Sequence, residues 1–279
     1  MSSIAFALRG SRLRRRPLLL LLAAALMAGL LPVLSDAQPS GAATTPAGQG
    51  VWLVAADGGI FSHGEAGFFG STGSVKLNQP VVGMAGTPSM KGYWMVAADG
   101  GIFSFGDAGF YGSTGAVKLN KPIVGMASTP SGKGYWLVAS DGGIFSFGDA
   151  GFHGSTGAVK LNKPIVGMAS TPSGKGYHMV ATDGGIFAFG DAKFFGSTGD
   201  VTLNQPIVGM ATTASNKGYW LVASDGGLFS FGDARFYGSS AGTNRKVVGM
   251  VPTPTGLGYY QATDTGEVIA FGDAYLSAP

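Results

Sequence analysis

The chain has 279 residues, 49 of them Gly and none Cys, with 45% hydrophobic and 12% charged residues. The lack of Cys excludes a disulfide scaffold, a thiolate zinc site, a cysteine nucleophile and a lipidated Cys anchor, and the lack of a G-X-Y period excludes collagen despite the high glycine share. The formal charge of +3 comes from the first 37 residues, where five arginines (Arg9, Arg12, Arg14, Arg15, Arg16) face one acid (Asp36); the remaining 13 basic and 14 acidic residues form no basic block, so a phosphate-tracking groove for nucleic acid is excluded.

The basic stretch Arg12-Leu13-Arg14-Arg15-Arg16 precedes an apolar run from Leu18 to Leu34 and then the small residues Ser35-Asp36-Ala37. This order predicts a secretory signal peptide over residues 1–37, cleaved after Ala37. An uncleaved anchor is the alternative, since Pro17 to Leu34 approaches the roughly 20 residues needed to span a bilayer. Arg15-Arg16-Pro17-Leu18-Leu19 also fits the core of a twin-arginine signal, which leaves Sec and Tat open. Either route places the mature chain outside the cytoplasm, secreted or on the cell surface, with no membrane insertion after cleavage.

Residues 38–50 read as a short linker with a degenerate first inner strand near Pro39-Ser40-Gly41-Ala42-Ala43. Residues 51–279 read as six copies of one unit. Asp57, Asp99, Asp141, Asp183 and Asp225 recur at intervals of 42, and Asp264 follows after 39. A period in this range indicates a solenoid, propeller or array. Within the third copy, Ile123–Ala127, Tyr135–Ala139 and Ile144–Phe147 are apolar runs of strand length. Pro130-Ser131-Gly132-Lys133-Gly134 and Asp141-Gly142-Gly143 separate them, the second a strong hairpin signal because Gly accepts positive φ without steric cost. The unit is an antiparallel meander, with a fourth short strand expected through Phe152-His153-Gly154. Consecutive apolar positions, rather than alternating ones, mean that both faces of each small sheet are covered. Radial repetition provides that cover. The expected fold is therefore all-β, a β-propeller of six blades with three to four antiparallel strands each, closing loosely at the first blade. A β-solenoid is the alternative.

The GYWLVASDGGIFSFGDA unit with its PIVGMA and FYGSTG segments resembles a repeat common in exported actinobacterial proteins, found alone or attached to wall-active and hydrolytic domains. The resemblance covers residues 43–279. More distantly, the order IVGMA, DGGIFSFGDA, FYGSTG is similar to the propeller repeat of the regulator-of-chromosome-condensation type. Neither resemblance implies a catalytic residue here.

The acids fall into two series, the Asp of the DGG turns and Glu65, Asp107, Asp149, Asp191, Asp233 and Asp273 of the FG-D/E-A turns. An Asp in such a turn accepts bonds from nearby backbone N–H groups, and identical copies in every repeat speak against a catalytic pair, which needs unlike partners. His63, His153 and His178 stand at unlike positions in three repeats where others carry aromatics, so no metal site and no other cofactor is expected. No nucleophile turn of the G-x-S-x-G kind has a His partner. Trp52, Trp94, Trp136, His178, Trp220 and Tyr260 share one strand position and are expected in the core. A second series, Phe69, Tyr111, His153, Phe195 and Tyr237, varies in polarity beside Gly-Ser-Thr loops. Tyr111, His153 and Tyr237 are the candidate ligand-binding residues, each ring offering a face to a sugar. The expected function is a non-catalytic, monomeric binding or scaffolding module whose partner is a cell-wall glycan or an extracellular protein. A hydrolase with its site in the central channel is the competing reading, and a protein-binding disc a third.

Overall fold

The structure is a computed structural model that describes residues 43–44 and 50–276. The expected signal peptide lies outside the described residues. Eighteen strands and no helix occur among the described residues. Sheet I contains β1 (Ala43–Thr44), β2 (Gly50–Val54) and β3 (Ile60–Gly64). Sheet II contains β4 (Val81–Gly86), β5 (Gly92–Ala97) and β6 (Ile102–Gly106). Sheet III contains β7 (Ile123–Ser128), β8 (Gly134–Ala139) and β9 (Ile144–Gly148). Sheet IV contains β10 (Ile165–Ser170), β11 (Gly176–Ala181) and β12 (Ile186–Gly190). Sheet V contains β13 (Ile207–Thr212), β14 (Gly218–Ala223) and β15 (Leu228–Gly232). Sheet VI contains β16 (Val247–Pro252), β17 (Gly258–Thr263) and β18 (Val268–Gly272).

Every sheet is an antiparallel meander in sequence order. Three strands make a sheet, and the expected fourth through Phe152-His153-Gly154 is irregular backbone. The reason lies in that segment's hydrogen bonds, which go to phenol and indole side chains of two sheets instead of to a ladder. The middle strand is the most enclosed: all six residues of β5, β8, β11, β14 and β17 are buried. This explains the unbroken apolar runs, since neighbouring sheets cover both faces. The first strand carries a register shift in each of sheets II to VI, as between Ile123 and Gly125 in β7. Such a bulge increases the local twist.

The sheets pack in ring order through six apolar clusters, each drawn from two adjacent sheets. Trp136, Val138, Ile165, Met168, Tyr177 and Met179 join sheets III and IV, and the same positions join the other neighbours. The sixth cluster, with Val51, Leu53, Tyr260 and Ala262, joins sheet VI to sheet I. β1 also neighbours both β4 and β16. The degenerate first strand is therefore present and short, paired through Ala43↔Trp52 and Thr44↔Val51. The arrangement is consistent with a six-bladed propeller.

One repeat differs from the sequence alignment. The register Ala262↔Val268 puts Thr265 at the place of the DGG aspartate and Asp264 one position before it. Asp264 donates its backbone N–H to Lys246 O, as Ala98 does to Pro80 O. Asp264 is thus not a member of the DGG series. The strong D-T-G pattern suggested the wrong frame because the sixth repeat is shortened upstream.

Candidate functional site

The junction between two sheets is built the same way several times. After the third strand the chain crosses to the next sheet, held first by its own sheet and then by its neighbour. Trp94 Nε1–H donates to Gly109 O at 2.6 Å, and two residues on, Tyr111 N–H donates to the Tyr135 phenol of sheet III at 3.1 Å. That phenol donates to Gly112 O at 2.6 Å. Tyr93, Tyr177, Tyr219 and Tyr259 repeat the clamp. Burial pushes the pKa of all five phenols up, which keeps them protonated and able to donate. The loop then returns so that the Thr114 hydroxyl donates to Asp99 O at 3.1 Å, against Gly100.

The two acid series are held differently. In the DGG turns the carboxylate accepts from the backbone two residues on, as Gly143 N–H to Asp141 Oδ1 at 3.0 Å. In the FGDA turns it accepts hydroxyls from the facing Thr-x-Ser turn: Thr129 to Asp149 Oδ1 at 2.9 Å and Ser131 to Oδ2 at 2.5 Å. Ser89 holds Asp107 in the same way, and its hydroxyl is the main cause of that carboxyl's lowered pKa. At Asp191 desolvation, which raises the pKa, is outweighed by the hydroxyl bonds from Ser173 and Thr171. No group of three His, Cys, Asp or Glu capable of holding a metal occurs among the described residues.

His178 fills the Trp position and copies its hydrogen bond, with Nε2 2.8 Å from Lys193 O. To donate there it must carry its proton on Nε2, leaving a buried Nδ1 without a partner. Desolvation lowers its pKa from the ordinary 6.5, against opposing effects of the Lys193 carbonyl and Asp191. The unfolded chain therefore binds this proton more readily, and stability is lost as pH falls below about 6.5. His178→Trp is expected to restore an indole donor and flatten that acid-side loss. Melting temperatures of parent and variant at pH 5 and pH 7.5 check this; a residual slope is expected from His63, whose pKa is also lowered by burial.

Tyr111, His153 and Tyr237 lie at three different junctions and are not brought together. Their rings are half-buried and pack across the junction: Tyr111 against Tyr135 at 5.8 Å, His153 against Tyr177 at 5.6 Å, Tyr237 against Tyr259 at 5.8 Å. The Tyr111 and Tyr237 hydroxyls donate to turn carbonyls of the following sheet, Gly132 O at 3.1 Å and Gly256 O at 3.2 Å. Solvent instead meets the preceding residue. Phe68, Phe110, Phe152, Phe194 and Phe236 are 61–64% exposed. The backbone on both sides of each is pinned by the indole (imidazole at His178) and phenol bonds just described, so an apolar ring is carried into water on a fixed backbone. Two adjacent aromatics on an irregular loop carry no periodicity, so the sequence alone did not show which of them faces out.

Tyr237 also lines a cavity of about 350 Å³ between sheets V and VI, with Ser215, Trp220, Asp233, Arg235 and Thr255. An added Cβ shows why this junction is open. At Gly132 it would meet Pro88 Cδ at 2.7 Å and at Gly174 Pro130 Cδ at 2.8 Å, whereas at Gly256 nothing lies within 4 Å. Sheet V carries Ala214 where sheets II, III, IV and VI carry Pro88, Pro130, Pro172 and Pro254. The missing pyrrolidine widens this space at its Gly256 side.

The first strands surround a central cavity of about 250 Å³, lined by Met84, Met126, Met168, Met210 and Met250 with small residues between them. Hydroxyls on this wall are used across neighbouring strands, Ser170 Oγ to Ser128 O at 3.3 Å and Thr212 Oγ1 to Ser170 O at 3.1 Å. A wider mouth of about 520 Å³, lined by Pro88, Pro130, Pro172 and Pro254 among others, opens at one end. The described residues lining both are without an ionisable side chain. The chain matches no protein-family model and no curated protein.

Proposed function

We propose that the chain is an exported, non-catalytic six-bladed β-propeller that acts as a binding or scaffolding module at the cell envelope, with carbohydrate as its ligand class. The observation that carries this reading is the junction: equivalent positions present exposed aromatic rings on a fixed backbone, and one junction adds a cavity with hydroxyls, an indole, a phenol and both signs of charge. Aromatic faces with hydrogen-bonding groups beside them suit ligands that have apolar and polar sides, as sugars do. The six sheet-to-sheet clusters, including the one between sheets VI and I, support the propeller. The described residues that line the channel offer no acid or base, which favours binding over hydrolysis there. Export rests on the order of basic, apolar and small residues in residues 1–37. No helix among the described residues is long and apolar enough to cross a membrane.

The exposed Phe series favours a second reading, a disc that binds an extracellular protein. A glycan and peptidoglycan binding screen of the purified chain separates the two. Saccharide binding that weakens in a Phe110→Ser, Phe152→Ser double variant is the expected result. A chain that binds no saccharide, yet loses a protein partner in the same variant, would favour the disc.

A further inference from the structure

We infer that the cavity between sheets V and VI is a binding site for a sugar bearing a carboxylate, Arg235 taking the acid group. The inference rests on the carbohydrate reading above and names the ligand of one junction.

Two substitutions set this junction apart. Ala214 leaves open the space that a proline closes in sheets II and III, and the cavity is therefore a consequence of sequence rather than of loose packing. Arg235 stands where sheets I, II and III carry Gly67, Gly109 and Gly151 and sheet IV carries Lys193, whose junction keeps its proline, Pro172. Its backbone is fixed, since Arg235 O accepts the Trp220 indole N–H at 2.8 Å. The residue is exposed and makes no ion pair among the described residues, where Arg245–Glu267 is the pair that forms. An unpaired guanidinium on a fixed backbone at the edge of a cavity suits bidentate capture of a carboxylate.

The rest of the lining fits a sugar. Asp233 is held by Thr213 at 2.9 Å and Ser215 at 2.5 Å, and its carboxylate remains able to accept a ligand hydroxyl. Ser215 and Thr255 donate to Asp233 and Asp273 and already accept the backbone N–H groups of Lys217 and Leu257, so the hydroxyl-accepting role in the cavity falls to the Asp233 carboxylate. Tyr237 supplies the aromatic wall. Arg235 and Asp233 line the same space without pairing, which polarises it: an anionic group belongs at the Arg235 end and hydroxyls at the Asp233 end. A second anionic charge near Asp233 would be repelled, so a singly charged carboxylate fits better than a phosphate dianion.

The test uses the full chain with a galacturonic acid oligomer and its methyl ester, which keeps the rings and removes the charge. Calorimetry is expected to show the acid binding at least tenfold more tightly than the ester. Arg235→Ala should bring the acid down to the level of the ester, at an exposed position where three repeats have Gly. Ala214→Pro should weaken acid and ester together by tenfold or more, because it restores the residue that fills the gap elsewhere, with an unchanged melting curve as the control. Equal binding of acid and ester, or acid binding unaltered in both variants, would overturn the site while leaving carbohydrate binding in place. No binding of either oligomer overturns the site as well, and the separate glycan screen then decides the broader reading.

Discussion

Trp136→Ala is expected to destabilise the fold by roughly 3–5 kcal/mol, the range for truncating a fully buried aromatic. Trp136 has no exposed surface and packs with Ile165 and Tyr177 of the next sheet, its ring 5.8 Å from that of Tyr177. Removing it opens a hole between sheets III and IV. It also removes the donor that holds Gly151 O at 2.7 Å, and with it one end of the crossing that carries Phe152. Urea unfolding with a linear extrapolation measures the loss. A midpoint equal to that of the parent would show that the Trp series does not hold the sheets together.

Gly148→Ala is expected to cost about as much for a different reason. Gly148 has φ 67°, and a Cβ there would lie 2.1 Å from the backbone oxygen of Lys133. A side chain in the left-handed region costs roughly 1–2 kcal/mol, and overpacking against backbone adds typically about 1–3 kcal/mol. Gly242 supplies the control, because its φ is 79° yet nothing lies within 4 Å of the added Cβ. Gly242→Ala should show only the conformational part, about 1–2 kcal/mol. Equal losses in the two variants would mean that the close approach of the two strands at Gly148 contributes nothing. Gly106, Gly190, Gly232 and Gly272 share the Gly148 geometry, with an added Cβ 2.0–2.2 Å from a backbone oxygen. The FG step therefore recurs because the third strand ends against the turn that precedes the second.

The all-β class, the six repeats, the meander with its DGG turns and the core position of the Trp series are legible along the chain. These are properties of a period of 42 residues, of apolar runs of strand length and of glycine's access to positive φ, all of which are local or periodic and so readable along the chain. Strand register and the packing between sheets are what show that the FGDA acids are held by hydroxyls 18 and 20 residues away, that Thr265 and not Asp264 stands in the last DGG place, and that Tyr111, His153 and Tyr237 pack across junctions while the neighbouring Phe faces water. The cavity beside Arg235 belongs with these. Ala for Pro at one position looks like ordinary drift along the chain, and it becomes a space only because the turn of the next sheet, at Gly256, is brought up against it. Contacts between residues a full repeat apart depend on how neighbouring sheets pack, and a pattern copied six times along the chain does not say which copy is left open.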